Sequence, residues 1–387
     1  MPLFAFGSNG SGQLGLGHTE DVSIPARCVF DDEVPPENSK IARIAAGGNH
    51  TLVLFANGAV YAAGCNVDGR CGLSHPGVEG EVLRFRRVSV TVDGDEDGQR
   101  KTYDTFKNVS ATWEGTFLVA SSSQSETNND TDKVFALGTG TKGELGLGTT
   151  TTTTTTPAQN PHFPPPGTRI ISIASGMGHT AAVLSNGDVY GWGGARKGQL
   201  GEGTAKEQKV AWSPAPVEGV SFKATDVACG REFTVVCGDK GKGEFVVLGS
   251  ADDKWGVVSG QPVIPAYASI FAGWHGVYVH HPHNHHKGDD SSSITAWGRN
   301  DRGQLPRADL PNVQKLAVGS EHALALLDEW TIAAFGWGEH GNCGSETDAQ
   351  GNVKGRYNKI QIPSEDGEKR AIVGIGAGCA TSWIITE

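Results

Sequence analysis

No run of eighteen apolar residues occurs in the 387-residue sequence, which removes any helical membrane span. The first residues, MPLFAFGSNG, lack the basic start and long apolar stretch of a secretory leader. Seven cysteines stand at positions 28, 65, 71, 229, 237, 343 and 379; they form no C-x-x-C pair, and an odd number argues against a disulfide framework. These absences suit a cytoplasmic protein with access to the nucleus. Positive charge is also scarce, with 32 Lys and Arg against 43 Asp and Glu and a formal net charge of −11. Such acidity does not suit direct nucleic-acid contact and instead suits basic or metal-bearing protein partners. Catalytic signatures are missing as well: there is no G-x-S-x-G, no G-x-x-x-x-G-K-[ST], no H-E-x-x-H and no EF-hand loop. Neither an enzyme activity nor a cofactor of the chain's own is expected.

What the sequence has in excess is glycine, at 55 positions. Gly10 to Gly15 read GSGQLG, the G-x-G-x-x-G spacing that can cradle a dinucleotide pyrophosphate. That chemistry needs the glycines to open a helix, whereas GLGHTEDVSIPARC follows, with no helical period. The stretch is also not unique. FAFGSNGSGQLGLG from Phe4 returns as VYAAGCNVDGRCGL from Val60, VFALGTGTKGELGLG from Val134 and VYGWGGARKGQLGEG from Val189. It returns again from Phe245, Ile294 and Ile332, which makes seven copies. A second unit alternates with it, AAGGNHTLVLFANG from Ala45 being the first of seven and IGAGCATSWIITE from Ile375 the last.

Each pair of units reads as short apolar strands broken by Gly-rich turns. Such a repeat predicts an all-β fold, a seven-bladed β-propeller of four-stranded blades in one domain spanning 1–387. The chain opens on one half-unit and ends on the other, so the last blade is expected to pair N- and C-terminal strands and close the ring without a disulfide. The glycines then supply positive φ at turns and close approach between blades.

With both half-units in view, the GQLGLG and A-x-G-x-x-H-T motifs resemble those of the regulator of chromosome condensation family of propellers, over essentially the whole chain. AFGSNGSGQLGLGHTED, IAAGGNH from Ile44 and ATWEGTFLV from Ala111 resemble most its fungal killer-toxin-insensitivity (α-tubulin suppressor) branch. That resemblance implies a non-catalytic adaptor. It would form a heterodimer with a small CSL-type zinc- or iron-binding electron carrier of the diphthamide pathway. The pair would support diphthamide synthesis on elongation factor two and, indirectly, Elongator-dependent modification of tRNA wobble uridines. The alternative that the wider family implies is guanine-nucleotide exchange on a Ran-type GTPase. Such exchangers carry a basic terminal tail and a packed wedge inserted from one blade; here the chain starts and ends on strands, and the insertions are acidic and hydrophilic.

Repetition also exposes the positions that break the pattern. The two residues after the central glycine of the second unit belong to a loop on one propeller face. Trp113 and Trp274 occupy places where sister copies hold small or polar residues. Beside them come Glu114, Arg231, Glu232, His275 and Glu321. The expectation is a partner-binding face with the tryptophans as apolar anchors and the glutamates steering a basic surface. His275 would touch the partner's metal region. The alternative has both tryptophans folded inward to plug the axial channel. His50, His179 and His322, the repeat's own histidines, are read as structural ties between blades. Plant ultraviolet-B photoreceptors of this fold carry Trp-Arg pairs at comparable loop positions; no such pair occurs here, so photoreception is not expected.

Four polar insertions are bounded near 79–101, 121–132, 149–168 and 280–293. The third contains eight threonines, Thr149 to Thr156, and reads as a long loop. The last holds HHPHNHH (His280 to His286), where adventitious zinc or nickel binding is expected and a functional metal site is not.

Overall fold

The computed structural model describes residues 2–31, 39–73, 80–93, 100–121, 131–281, 293–311, 313–363 and 370–387. Its strands gather into seven antiparallel blades around a ring, the propeller that the repeat predicts. Blades 1 to 6 occupy residues 41–87, 108–159, 170–216, 226–249, 269–298 and 315–360. Blade 7 is shared between the two ends of the chain. Its strands Ile372–Ala377 and Thr381–Thr386 continue into Leu3–Gly7 and then Val22–Arg27. The joining register runs from Leu3 opposite Ile385 to Gly7 opposite Thr381.

The second strand of each blade explains why the sheets stand side by side. His50–Phe55, Gly115–Ala120, His179–Leu184 and Thr381–Thr386 are buried at every position. Strands covered on both faces carry such near-continuous apolar runs. Between blades 2 and 3 the packing is aromatic: Phe117 and Phe163 both meet Trp192 edge-on, at 5.3 and 5.4 Å between centroids. Trp192 is 1% exposed, and an aromatic ring of this kind buries roughly 150–250 Å².

The GSGQLG turn packs against the neighbouring blade. Gly12 and Gly15 have φ of +76° and +68°, and a Cβ on them would fall 2.7 Å from Leu83 Cδ2 and 2.5 Å from Phe85 Cδ2. Gln13 Oε1 accepts from Ser11 N at 2.9 Å; Gln199 and Gln304 repeat that bond from Lys197 N and Arg302 N. The next regular element is the strand Val22–Arg27 and not a helix, so the motif is turn chemistry.

The outer edges depart from expectation. Blades 4 and 5 carry three hydrogen-bonded strands, with irregular chain after Phe245–Gly249 and Ile294–Gly298. Pro262 and Pro265 in one stretch, Pro306 and Pro311 in the other, lack the N–H donors a fourth strand would use. The threonine tract is half strand: Thr153–Gln159 forms the outer strand of blade 2, with Thr154 opposite Gly138. β-branched residues suit that place. The insertion bounded at 79–101 likewise contains Glu81–Arg87, the outer strand of blade 1. It also contains Val90–Val92, which pairs with Lys101–Tyr103 as a separate ribbon. His280 is the last residue of a strand, buried, with Nε2 2.9 Å from the Val313 carbonyl, and so belongs to blade 5 and not to a loop. His283, His285 and His286 lie outside the described residues, as do 122–130. Among the described residues the one α-helix is Glu202–Glu207, and no helix is long and apolar enough to cross a membrane.

Candidate interaction face

Successive strands of a blade are antiparallel, so the loop between its first and second strands and the loop after its third emerge on the same side of the ring. Trp113, Glu114, Arg231, Glu232, Trp274, His275 and Glu321 all lie on that side. The first-to-second loops are linked from blade to blade by their backbones. Gly48 N donates to Trp113 O (2.9 Å), Trp113 N to Met177 O (3.1 Å) and Arg231 N to Trp274 O (3.0 Å). Trp274 N donates to Ser320 O (2.8 Å) and Ser320 N to Gly378 O (3.0 Å). These bonds satisfy main-chain groups at the channel mouth and fix the side chains the loops present.

Beneath the loops, the repeat's histidines reach across the blade boundaries. His50 Nε2 donates to Thr116 Oγ1 at 2.9 Å, and that hydroxyl donates to the Arg70 carbonyl at 2.6 Å. His322 Nε2 donates to Ser382 Oγ at 2.9 Å, and His179 Nε2 lies 2.9 Å from Thr234 Oγ1. Burial lowers the pKa of His50 to about 3 and of His179 and His322 to about 4, so all three are neutral ties.

Trp113 belongs to blade 2 and Trp274 to blade 5, nearly opposite each other around the ring. Their rings meet over the axis, with centroids 5.9 Å apart and planes at 44°, and each remains half-buried. The two indoles therefore stand together at the channel mouth and not apart at the rim. Below them the channel holds a cavity of about 380 Å³ walled by the inner strands. Arg43 of blade 1 lies in that wall and donates to Asn108 Oδ1 (2.7 Å) and the Ile173 carbonyl (2.8 Å), which ties three blades together. Ser172 Oγ donates to Asp226 Oδ1 at 2.6 Å in the same wall.

The glutamates divide by what their neighbours do to them. Glu321 is 7% exposed and held by Arg299 at 2.5 Å and Arg302 at 3.3 Å. Glu114 accepts from Arg70 at 3.3 Å. Glu232 is exposed. Glutamate steering of a basic partner thus loses Glu321 outright, because its charge is neutralised inside the protein.

The loops after the third strands add residues that sequence reasoning missed. They join Arg231, a first-to-second loop residue that the sequence did single out, which lies over the Trp274 ring at 5.3 Å, a Trp–Arg pair made by neighbouring blades where the sequence shows none. Trp255 carries two cations, Lys254 at 4.7 Å and Arg299 at 5.1 Å, and Arg302 lies over Trp337 at 5.3 Å. The His275 ring is 6.3 Å from that of Trp255. Its pKa is lowered to about 4, first by burial and then by the positive fields of Arg299, Arg231 and Lys254. A usable signal was present in Arg299, the residue directly after the repeat's Gly298, since the strand alternation puts that loop on the same side.

Burial raises the thiols of Cys229 and Cys237 to about 12 and of Cys379 to about 11, which leaves them protonated. Among the described residues no three His, Cys, Asp or Glu side chains could hold a metal ion together.

Residues 2–384 match the RCC1-like domain family. An RCC1 repeat-containing protein of Schizosaccharomyces pombe is 28% identical over all of this chain and 99% of its own length. The secretion-regulating guanine nucleotide exchange factor of Bos taurus is 26% identical over 97% of this chain and 81% of its own. Among solved structures, Prp20p of Saccharomyces cerevisiae, described with its binding to Gsp1p and histones, superposes with a TM-score of 0.69. That superposition has 18% identity and covers 100% of this chain and 91% of Prp20p; at this identity the likeness is one of fold.

Proposed function

Because the chain belongs to the RCC1-like domain family, whose propellers are generally non-catalytic regulators or exchange factors, we propose that it is a non-catalytic protein-docking adaptor. The observation that carries this reading is the Trp113–Trp274 pair, two large half-buried rings at the centre of a face whose loops are locked by backbone bonds. Rigid aromatic anchors of that kind dominate the energetics of protein interfaces. The partner is a small CSL-type protein that carries zinc or iron. Through it the chain serves diphthamide synthesis on elongation factor two and, at one remove, Elongator-dependent wobble-uridine modification, in the cytoplasm with access to the nucleus. His275, neutral and half-buried beside the anchors, approaches the partner's metal region.

A second reading, exchange on a Ran-type GTPase, draws support from the printed name of the bovine relative. One experiment separates the two. The purified chain is titrated with the purified CSL-type protein and, separately, with a GTPase loaded with fluorescent GDP. A stoichiometric complex with the first and unchanged nucleotide release from the second are expected. Accelerated release with no complex would replace the adaptor by the exchanger.

A further inference from the structure

The basin between blades 4 and 5 differs in charge from the remainder of the interaction face. Arg231, Lys254 and Arg299 converge on the rings of Trp274 and Trp255, with His275 among them. Arg299 is already paired, to Asp301 at 2.6 Å and to Glu321. Among the described residues, neither Arg231 nor Lys254 makes an ion pair; Lys254 is exposed and Arg231 half-buried. Nearby carboxylates are engaged elsewhere. Asp252 holds Lys197 at 2.8 Å, and Asp253 accepts from Val258 N and Ser259 N, each at 2.9 Å. Glu232 is the exposed carboxylate that remains beside the basin.

We infer that this basin receives an acidic segment of the partner protein, whose carboxylates bind Arg231 and Lys254 while its apolar atoms rest on Trp274 and Trp255. A cation stacked on an aromatic face keeps its outward N–H groups available, so each such pair offers a flat apolar surface edged by donors. Carboxylates complete that arrangement, whereas a basic segment would meet three like charges. Burial is the first cause of the lowered pKa of His275, and the fields of Arg299, Arg231 and Lys254, opposed by Asp301, add to it, so the same three cations act on that ring inside a chain of net charge −11. Global charge would repel acidic chains, and their capture would therefore report this basin alone. The inference rests on the docking face proposed above, and it reverses the charge that the sequence suggested for the partner.

The test uses two fluorescein-labelled dodecapeptides, one of Glu, Asp, Leu and Gly and its counterpart with Lys in place of the acids, followed by anisotropy at low ionic strength. The acidic probe is expected to bind, to weaken as salt rises, and to lose about tenfold or more in affinity in the Arg231→Glu/Lys254→Glu variant. The milder Arg231→Gln/Lys254→Gln variant should fall between, with an unchanged melting temperature showing that the fold is intact. Preference for the lysine probe, equal binding of a single-stranded oligonucleotide, or an acidic-probe affinity indifferent to both variants would each overturn the inference. The CSL-type protein separates this outcome from the adaptor reading. If it binds the double-glutamate variant as tightly as wild type, the basin inference fails and the adaptor stands. If it binds neither form while the acidic probe does, the reverse holds.

Discussion

Two sectors of one face use arginine in opposite ways. At blades 1 and 2, Arg70 is 8% exposed, gripped by Asp68 at 2.6 Å and by Glu114 at 3.3 Å. At blades 4 and 5, Arg231 lies on an indole ring and makes no ion pair among the described residues. The two residues come from different loops on one side of the ring, Arg70 after the third strand of blade 1 and Arg231 between the first and second strands of blade 4. Neighbouring loops decide the difference: Asp68 shares a turn with Arg70 and neutralises it, whereas Arg231 meets an aromatic face from the next blade. The first sector serves as structure, and the second is left available to a partner.

Acid gives the largest expected effect on this contrast, because both sectors stand on the neutral histidine ties. The folded pKa values of His50, His179 and His322 lie below the ordinary 6.5. Below pH 6.5 the unfolded chain therefore binds more protons, and stability present above that pH is lost as pH falls towards about 4. Each histidine contributes a slope of up to about 1.4 kcal/mol per pH unit in that window. Chemical denaturation at stepped pH should show the loss, and His322→Gln should reduce its slope; a flat profile from pH 7 to 4.5 would refute the neutral ties.

Asp68→Ala comes next. It strands the buried Arg70 cation and should cost about 3–5 kcal/mol, nearer the lower figure because Glu114 remains. Urea midpoints give the value directly. Substitution of the tryptophans should then separate the sectors by binding. Trp274→Ala removes an anchor together with the seat of Arg231 and is expected to weaken the CSL-type partner by about 2 kcal/mol or more, roughly thirtyfold. Trp113→Ala, which carries no stacked cation, should weaken it less, and calorimetry that ranks them in the opposite order would dissolve the distinction. The smallest change belongs to Arg231→Ala, no more than about 1 kcal/mol in thermal stability.

The ring, its seven units and its closure were legible because each repeat carries its own strands, turn glycines and buried second strand. That Trp113 and Trp274 share one side of the ring was legible too, since both stand at the same place in the second unit of the repeat. What stayed hidden depends on contacts between chain segments far apart. The meeting of Trp113 with Trp274 joins blades 2 and 5, and the seat of Arg231 on Trp274 joins loops from separate repeats. Glu321 looks available in sequence because Arg299 and Arg302 come from the preceding blade. The threonine tract was misread because its composition suggests a linker, while its pairing with Lys133–Thr139 is set by the blade.

The shared blade has a consequence for synthesis. Leu3–Gly7 is made before the strands of blades 1 to 6, and its partner Thr381–Thr386 after them. While translation proceeds, Phe4 and Phe6 lack the cover that Ile384 and the blade 6 residues Leu324 and Phe335 give them in the finished core. The nascent chain thus emerges as a growing arc of blades with an apolar strand waiting at its leading end. Ring closure therefore waits for Thr381–Thr386, and until that strand pairs with Leu3–Gly7 the two phenylalanines stay uncovered.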